Sequence, residues 1–449
     1  MFKELSKHQR FVLIIAWLGW VFDVMEASFF GLTKQAMMKE MLGAAEYARI
    51  GTEWEGRIHG GMIIGWALGG LIFGIVADRW GRGRTLLLTV FIYCVFTGLT
   101  SLCQTPSQVL GARFLTGLGI GGEWAAGAAL IAETVPNDFR ARAAAFLQTA
   151  AAFGSIIGVF VSIGAGFANW RWVYVAGILP AVLCFVARFR LESDHKTPPN
   201  GGVGEAPGEP VGLLESPESS ALTTAPTSSL TFTDSPNSGG VPPSNPLLQL
   251  LTTHPYNIRL LAAVLIGVVG IAGGGILPFW LPNLIKDALP GASDATVAYY
   301  KNLTMIVLHL GTLAGVLIFP PLTDRYGRRP LFAGFFIASG LMLYFTATKA
   351  VSLPLLFILP PLTSFFALGV TAGFGLYFPE LFSTKFRATG SGIAYNTARI
   401  LIAPLQAWIG TNAKTQGVGP TIGLVATIYV IGLIGLSFAP ETRGKKLEV

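Results

Sequence analysis

Gly19–Trp20–Val21–Phe22–Asp23–Val24–Met25–Glu26 lies inside an apolar run from Phe11 to Thr33, bounded by Arg10 and Lys34. A helix of that length crosses a hydrocarbon core of about 30 Å. Asp23 and Glu26 are three residues apart, so they share one helix face. A charged aspartate at the centre of a membrane helix costs about 2.5–3.5 kcal/mol on insertion scales. A chain accepts that cost where the carboxylate faces a hydrated cavity, a cationic partner, or a proton it must carry. An acid that snorkels from a shifted boundary is the plainer alternative. The proton-carrying reading therefore needs a partner elsewhere in the chain.

The rest of the composition agrees with a membrane setting. Of 449 residues, 52% are hydrophobic and only 12% charged, about half the charged share usual in a soluble domain. Mean hydropathy is +0.58. The 55 glycines and 27 prolines suit membrane helices better than soluble ones. Cys94, Cys103 and Cys184 are scattered through apolar runs and read as packing residues, not as a disulfide framework or a metal site. A net charge of +7 would suggest nucleic acid in a soluble protein. Here the basic residues cluster in alternate loops, which is a topology signal, and no nucleic-acid partner is expected. Lys3, Lys7 and Arg10 precede a full-length apolar run with no small-residue cleavage site after it, so the first helix is expected to remain.

Twelve apolar segments follow one another, at about 11–33, 58–77, 85–104, 107–134, 143–168, 172–189, 259–285, 301–323, 330–348, 352–379, 388–412 and 418–439. With a cytoplasmic N-terminus the inner loops hold about twenty Lys plus Arg and the outer loops about nine. Both termini are therefore expected in the cytoplasm. The stretch 192–246 is rich in Pro, Ser, Thr and Gly, with no apolar period. It reads as a flexible cytoplasmic linker between an N-terminal bundle at 1–191 and a C-terminal bundle at 247–449.

The two halves repeat. Asp78–Arg79–Trp80–Gly81–Arg82 returns as Asp324–Arg325–Tyr326–Gly327–Arg328, and Glu133, Phe139, Arg140 and Ala141 return as Glu380, Phe386, Arg387 and Ala388. One offset of roughly 246–247 residues serves both pairs. Parallel six-helix halves are the layout of the major facilitator superfamily. The stretch Gly74-Ile-Val-Ala-Asp78-Arg-Trp-Gly-Arg82-Gly-Arg84 resembles that family's signature loop between the second and third spans. The resemblance implies an all-α polytopic membrane protein, with twelve transmembrane helices in two pseudo-symmetric six-helix bundles. It also implies a cytoplasmic charge network that clamps the halves when the cavity faces outward. The matching residues are Asp78, Arg82, Glu133, Arg142, Asp324, Arg328, Glu380 and Arg387. Positive-inside arginines with incidental acids are the plainer reading of the same loops.

Arg113 is the candidate partner for the first helix. It lies about 10 Å below the outer boundary of the fourth segment, and Asp23 lies about 12 Å below the same boundary. Gly117 and Gly121 continue Arg113's helix face with small residues, which permits close packing. The run Arg113-Phe-Leu-Thr-Gly-Leu-Gly-Ile-Gly-Gly122 resembles the superfamily's fourth-helix proton-coupling motif. In its sugar symporters the arginine there pairs with an aspartate at the place Asp23 occupies. A structural ion pair without a coupling role remains an alternative.

The first-helix pattern with two acids three apart resembles the organic-acid:proton symporters, including the aromatic-acid, metabolite and sialate/lactate groups. Gly121-Gly122-Glu123-Trp124, Trp280-Leu281-Pro282, and Arg387-Ala388-Thr389-Gly390-Ser391-Gly392 followed by Arg399 and Pro404 resemble them too. Three features depart from the neighbouring patterns. The glutamine pair of hexose symporters is absent from the seventh segment, where Gly270–Gly275 is glycine-rich. The fungal lactate-permease signature is missing. Glu26 stands where the acid symporters more usually carry Asp. Gln148 and the closing Pro440-Glu441-Thr442-Arg443-Gly444 remain sugar-porter-like.

The eleventh segment carries a polar face of Gly392, Tyr395, Asn396, Arg399, Ala403 and Gln406. Arg399 falls about 16 Å from the cytoplasmic side, near the midplane where transporter sites lie. Its fork matches a carboxylate, so it is the expected substrate-anion contact, with an interhelical tie as the alternative. His309, about 12 Å from the outer side, can hydrogen-bond substrate when neutral or couple when protonated, or serve as a tie. Gln148, Asn302 and Tyr377 are further cavity liners, and Glu123 is assigned to the gate or the proton path. His8, His59, His195 and His254 read as segment-end or loop residues without metal spacing. No nucleophile-elbow, phosphate-cradling or redox motif appears, so an enzyme is not expected.

The expected function is proton-coupled symport of a small organic anion, a carboxylate, by alternating access. Asp23, Glu26 and Arg113 would couple, the proton would be the coupling ion, and no other cofactor is expected. The protein would sit as a monomer in the cell (inner) membrane. A sugar or polyol symporter or facilitator using Gln148, and a non-transporting membrane sensor or scaffold working through the linker, are the alternatives.

Overall fold

The computed structural model describes residues 5–134, 137–165, 169–178, 246–349, 352–383 and 386–445. The expected linker at 192–246 lies outside the described residues except for Pro246. The described chain is helical throughout. The spans of the first half are Lys7–Leu42, Ala44–Trp80, Arg82–Thr100, Pro106–Thr134 and Asn137–Gly164, with Trp170–Ala176 opening the sixth. A short helix, Pro246–Thr252, precedes the seventh span, Tyr256–Ala288. Then come Asp294–Tyr326, Arg328–Lys349, Leu353–Glu380 and Arg387–Gln416 as spans eight to eleven. The twelfth span is Val418–Val425 and Tyr429–Phe438, joined by a 3-10 turn at Ala426–Ile428. Eight of the described helices are long and apolar enough to cross a membrane.

Local chemistry explains where the helices start and stop. Ser6 caps the first helix in a capping box: its Oγ accepts the Gln9 amide at 3.1 Å, and Gln9 Oε1 accepts the Ser6 amide at 3.0 Å. Gly81 and Gly327 stand at φ +95° and +97°, at equivalent places in the two halves. Only glycine enters that region cheaply, so the repeated loop motif is a repeated sharp turn.

Packing follows the duplication. The second span packs on the fourth and the eighth on the tenth; the first packs on the fifth and the seventh on the eleventh. The major contacts between halves are the second span with the eleventh and the fifth with the eighth. Adding six to each member of one pairing yields the other, as a two-fold relation between halves requires.

The first two helices overrun their expected ends. Segments 11–33 and 58–77 become helices reaching Leu42 and starting at Ala44, joined by Gly43 alone. Hydropathy breaks there because Lys34, Lys39, Glu40, Glu46, Glu53 and Glu55 are charged. The fold tolerates them by pairing each one, Lys34 with Glu55 and Glu40 with Arg171 among them.

Candidate functional site

At the centre of the N-terminal half, the second and fourth spans touch backbone to backbone. A Cβ on Gly65 or Gly69 would strike the carbonyl of Phe114 or Leu118, and one on Gly117 or Gly121 would strike that of Met62 or Trp66. This close approach brings Arg113 against the second span, where its Nη2 lies 2.9 Å from Met62 Sδ.

Arg113 is fully buried and its Nη1 pairs with Glu26 Oε1. Thr97 Oγ1 donates to the same carboxylate oxygen at 2.9 Å. The ion pair of Arg113 is therefore made with Glu26, not with Asp23 as the depth argument expects. Side chains lean toward the N-terminus of their own helix. The fourth span runs opposite to the first, so Arg113 reaches toward one membrane face while Glu26 leans back to meet it. Asp23, one turn further on, leans away. It stays buried, as does Glu123. Three acids, Asp23, Glu26 and Glu123, are thus buried in this half, and Glu26 is the one that holds Arg113.

Arg399, on the eleventh span, is buried against the second span of the other half. Its guanidinium carbon lies 4.4 Å from the ring centroid of Trp66 and 4.4 Å from that of Tyr395. Stacking covers guanidinium faces, whereas its N–H groups point out in the plane. Trp66 Nε1 and Gln406 Nε2 are buried donors without a hydrogen-bond partner. Gln406 Oε1 accepts from Trp280 Nε1 at 2.9 Å and so ties the eleventh span to the seventh. Asn396 donates back to the Gly392 carbonyl at 2.9 Å, and its side chain lies against Gly70 of the second span. Gln148 Nε2 donates to the Thr371 carbonyl at 3.2 Å and links the fifth span to the tenth. His309 is buried with Nδ1 unpartnered, and Asn302 Oδ1 on the same helix is likewise buried and unpartnered. Tyr377 does not line the cavity. Its hydroxyl donates to the Pro440 carbonyl at 2.6 Å and its ring packs on Phe332, because it sits a single turn from the end of the tenth span.

Two ends frame this centre. The end bearing the basic loops is called here the basic end, and the opposite one the far end. At the basic end, Arg328 grips Glu380 bidentately, Nε to Oε2 at 3.2 Å and Nη2 to Oε1 at 3.0 Å, and reaches Asp324 at 2.6 Å. Thr442 Oγ1 also donates to Glu380, and Arg387 Nε donates to the Pro379 carbonyl at 3.1 Å. The side chains of Asp78, Arg82, Glu133 and Arg142 lie outside the described residues. Glu441 accepts the backbone amides of Arg328, Arg329, Thr442 and Arg443 at 2.9–3.0 Å. Burial works to raise its pKa, but the four amides together hold it below the usual glutamate range. A depressed carboxylate stabilises the fold above its unfolded pKa of about 4.3 and loses that contribution as pH falls through the folded value. Glu441→Gln should therefore melt earlier than the parent at pH 7, and the gap should close as the pH falls below about 4.3; melting curves against pH check this.

The far end is sealed. Lys34 and Glu55 are both fully buried and 2.9 Å apart. Tyr47 and Asn283 donate to Glu55 at 3.0 and 3.2 Å. Lys34 Nζ lies 3.9 Å from the Phe279 ring centroid and 4.2 Å from that of Trp280. Lys414 pairs with Glu53, and Lys301 donates to the Leu32 carbonyl at 2.9 Å. Each of these sets, from Asn283 and Phe279 to Lys414 and Lys301, joins one half to the other. Gly56 and Gly60 meet the backbone of Gln406 and Ala403, and the second and eleventh spans stay in contact as far as Gly70 and Asn396. One turn nearer the basic end, Gly74 and Gly392 have nothing among the described residues within 4 Å of an added Cβ. The two helices part there. Lys34→Met leaves Glu55 buried without its cation, so thiol labelling from the far face of a cysteine placed at Gly275, on the central side of Phe279, should rise at least several-fold.

Lys34, Glu55, His59, Trp66 and Asn283 escape the sequence reading. Lys34 reads as a boundary, and His59 reads as a segment end. In the structure both lie inside long helices, with the His59 ring stacked on Phe279 at 3.9 Å. The one available signal is spacing: Glu55, His59 and Trp66 recur on one face of the second helix.

Comparison with known proteins now bears on this arrangement. The Major Facilitator Superfamily profile matches residues 15–299, and that of the sugar (and other) transporters matches 229–449. The chain belongs to the major facilitator superfamily. It is a multi-pass membrane transporter and not an enzyme. It is 27% identical to a probable 4-methylmuconolactone transporter of Cupriavidus pinatubonensis, over 100% of this chain and 94% of that one. It is also 27% identical to a putative niacin/nicotinamide transporter of Bacillus subtilis, over 100% of both chains. The xylose transporter XylE from E. coli, in a partially occluded inward open conformation, superposes with a TM-score of 0.66 at 16% identity. That match covers 98% of this transporter and 100% of XylE.

Proposed function

We propose that this transporter carries a small organic carboxylate together with a proton across the cell inner membrane, by alternating access between its two halves. Its basic end faces the cytoplasm, which accords with the excess of Lys and Arg there. The observation that carries the substrate class is Arg399 held between Trp66 and Tyr395, beside buried donors that lack an acceptor. A guanidinium with an unpartnered donor, Trp66 Nε1, beside it favours an anion, and flanking rings favour a flat one. Niacin, named for one relative, is a planar ring bearing a carboxylate. A sugar reading has less support: the seventh span lacks the glutamine pair, and Gln148 is engaged by a backbone carbonyl of the other half.

Asp23, Glu26 and Glu123 supply the coupling. A carboxylate buried in the same half as the substrate path repels an incoming anion when charged, and protonating it removes that repulsion. Proton and anion therefore load together. A pH gradient contributes about 1.4 kcal/mol per unit, and symport of a monoanion with one proton moves no net charge. The test is accumulation of labelled carboxylates in proteoliposomes under imposed pH gradients. Asp23→Asn should abolish accumulation while leaving exchange of labelled for unlabelled substrate intact. Wild-type uptake that ignores the gradient would sink the coupling.

A further inference from the structure

The two buried ion pairs, Lys34–Glu55 at the far end and Arg113–Glu26 at the centre, are bridged by one residue that neither uses. Glu55, His59 and Met62 are spaced four and three apart along the second helix, so they line one face. Glu55 holds the far-end seal, and Met62 touches Arg113. His59 lies between them. Both its ring nitrogens are buried and neither has a hydrogen-bond partner, although buried polar atoms are nearly always paired. The ring is held by stacking on Phe279 of the other half, the same ring that Lys34 Nζ overlies.

We propose that His59 is the residue that takes up the proton at the far face and hands it to Glu26. The proposal rests on the proton-coupled reading above. Phe279 moves with the C-terminal half, so parting of the halves at the far end uncovers the imidazole and lets water reach it. An unpartnered ring nitrogen then accepts a proton. Reclosure buries that imidazolium between Lys34, which overlies the same Phe279 ring, and Arg113, which Met62 touches one turn along the helix. The acids of the two flanking ion pairs, Glu55 and Glu26, are already paired, while Phe279 and Gln406, from the seventh and eleventh spans, bring no charge. A third positive charge in that dry site opposes closure. Moving the proton to Glu26 leaves the net charge of the set unchanged but places the positive charge on Arg113, where an entering anion can meet it. The N–H bond of His59 breaks, an O–H bond forms on Glu26, and Arg113 loses its anion at the moment the substrate anion is present. Unlike Glu26, His59 has no standing cation to displace before it can accept a proton.

The first test needs no substrate. Deuterium exchange at the imidazole Cε1–H of His59, read by mass spectrometry on the full chain in nanodiscs, reports its titration and exposure. Exchange should be slow in the wild type. In Lys34→Met, and independently in Asn283→Ala, it should be at least tenfold faster and sigmoidal in pH. Slow, pH-independent exchange from pH 5 to 8 in either seal variant that folds overturns the proposal. The second test is transport of labelled nicotinate. His59→Gln should lose at least tenfold in gradient-driven uptake and hold wild-type nicotinate exchange within twofold. A wild-type dependence on outside pH in His59→Gln also overturns it. Wild-type protein that exchanges nicotinate but ignores the gradient removes the coupling reading instead, and the deuterium result still decides whether His59 titrates.

Discussion

Arg113→Met is expected to abolish transport and to lower unfolding stability by about 3–5 kcal/mol, because it leaves Glu26 buried without its cation. Glu26 is 1% exposed and Arg113 is fully buried, so water cannot substitute for either partner. Pairing the change with Glu26→Gln should return most of the stability, since the uncompensated charge is gone, yet transport should stay lost. A double-mutant cycle reads the coupling directly. The Arg113–Glu26 coupling should clearly exceed the Arg113–Asp23 coupling, measured by melting in detergent. Equal couplings would contradict the pairing seen here and return Asp23 to the place the depth argument gave it.

Arg399→Lys is expected to weaken carboxylate binding by roughly 10- to 150-fold, the range for losing a hydrogen bond to a charged group. Lysine keeps the charge but loses the planar fork and its fit between the Trp66 and Tyr395 rings. Trp66→Phe keeps the ring and removes only the unpartnered Nε1–H, whose acceptor would be the same charged carboxylate, so its loss should fall in the same range, about 10- to 150-fold. Affinity from ligand-induced melting shifts checks both. Were Arg399 only an interhelical tie, Arg399→Lys would lower the melting temperature of the free protein and leave the ligand-induced shift unchanged.

The relation between the basic-end cluster and the far-end seal has a mechanical sense. Arg328, Asp324 and Glu380 are joined within one half, whereas Lys34, Glu55, Asn283 and Phe279 are joined across the halves. The conformation described here is held shut at the far end. Passage to the opposite conformation must break a buried, hydrogen-bonded set of contacts, and such sets switch between discrete arrangements instead of yielding gradually. Ligand and proton can shift that equilibrium only by binding the two conformations unequally. Arg399, on the eleventh span that both lines the centre and meets Gly56 and Gly60 at the seal, stands where such a difference would be felt.

Periodicity and composition were enough to read the helical class and the duplicated halves, and to single out charged residues that the fold buries. Asp23, Glu26, Arg113 and Arg399 each announce themselves, because a charge inside an apolar run has an insertion cost that must be met somewhere. The repeated Asp–Arg–aromatic–Gly–Arg turns announce themselves too, since Gly81 and Gly327 sit at positive φ where the chain has few other options. What the sequence could not decide is which acid Arg113 would choose. Asp23 and Glu26 differ by one helical turn, and depth along a helix does not resolve that; the opposed lean of antiparallel side chains does. Nor could it place Lys34, Glu55 and His59 inside the protein. Their burial is set by helices brought together from both halves, and a charged residue at the edge of an apolar run looks the same whether it ends in water or against a partner 228 positions away, as Asn283 is from Glu55. Local patterns fix where helices run and which residues are costly in lipid; only the docking of one half on the other determines how those costs are met.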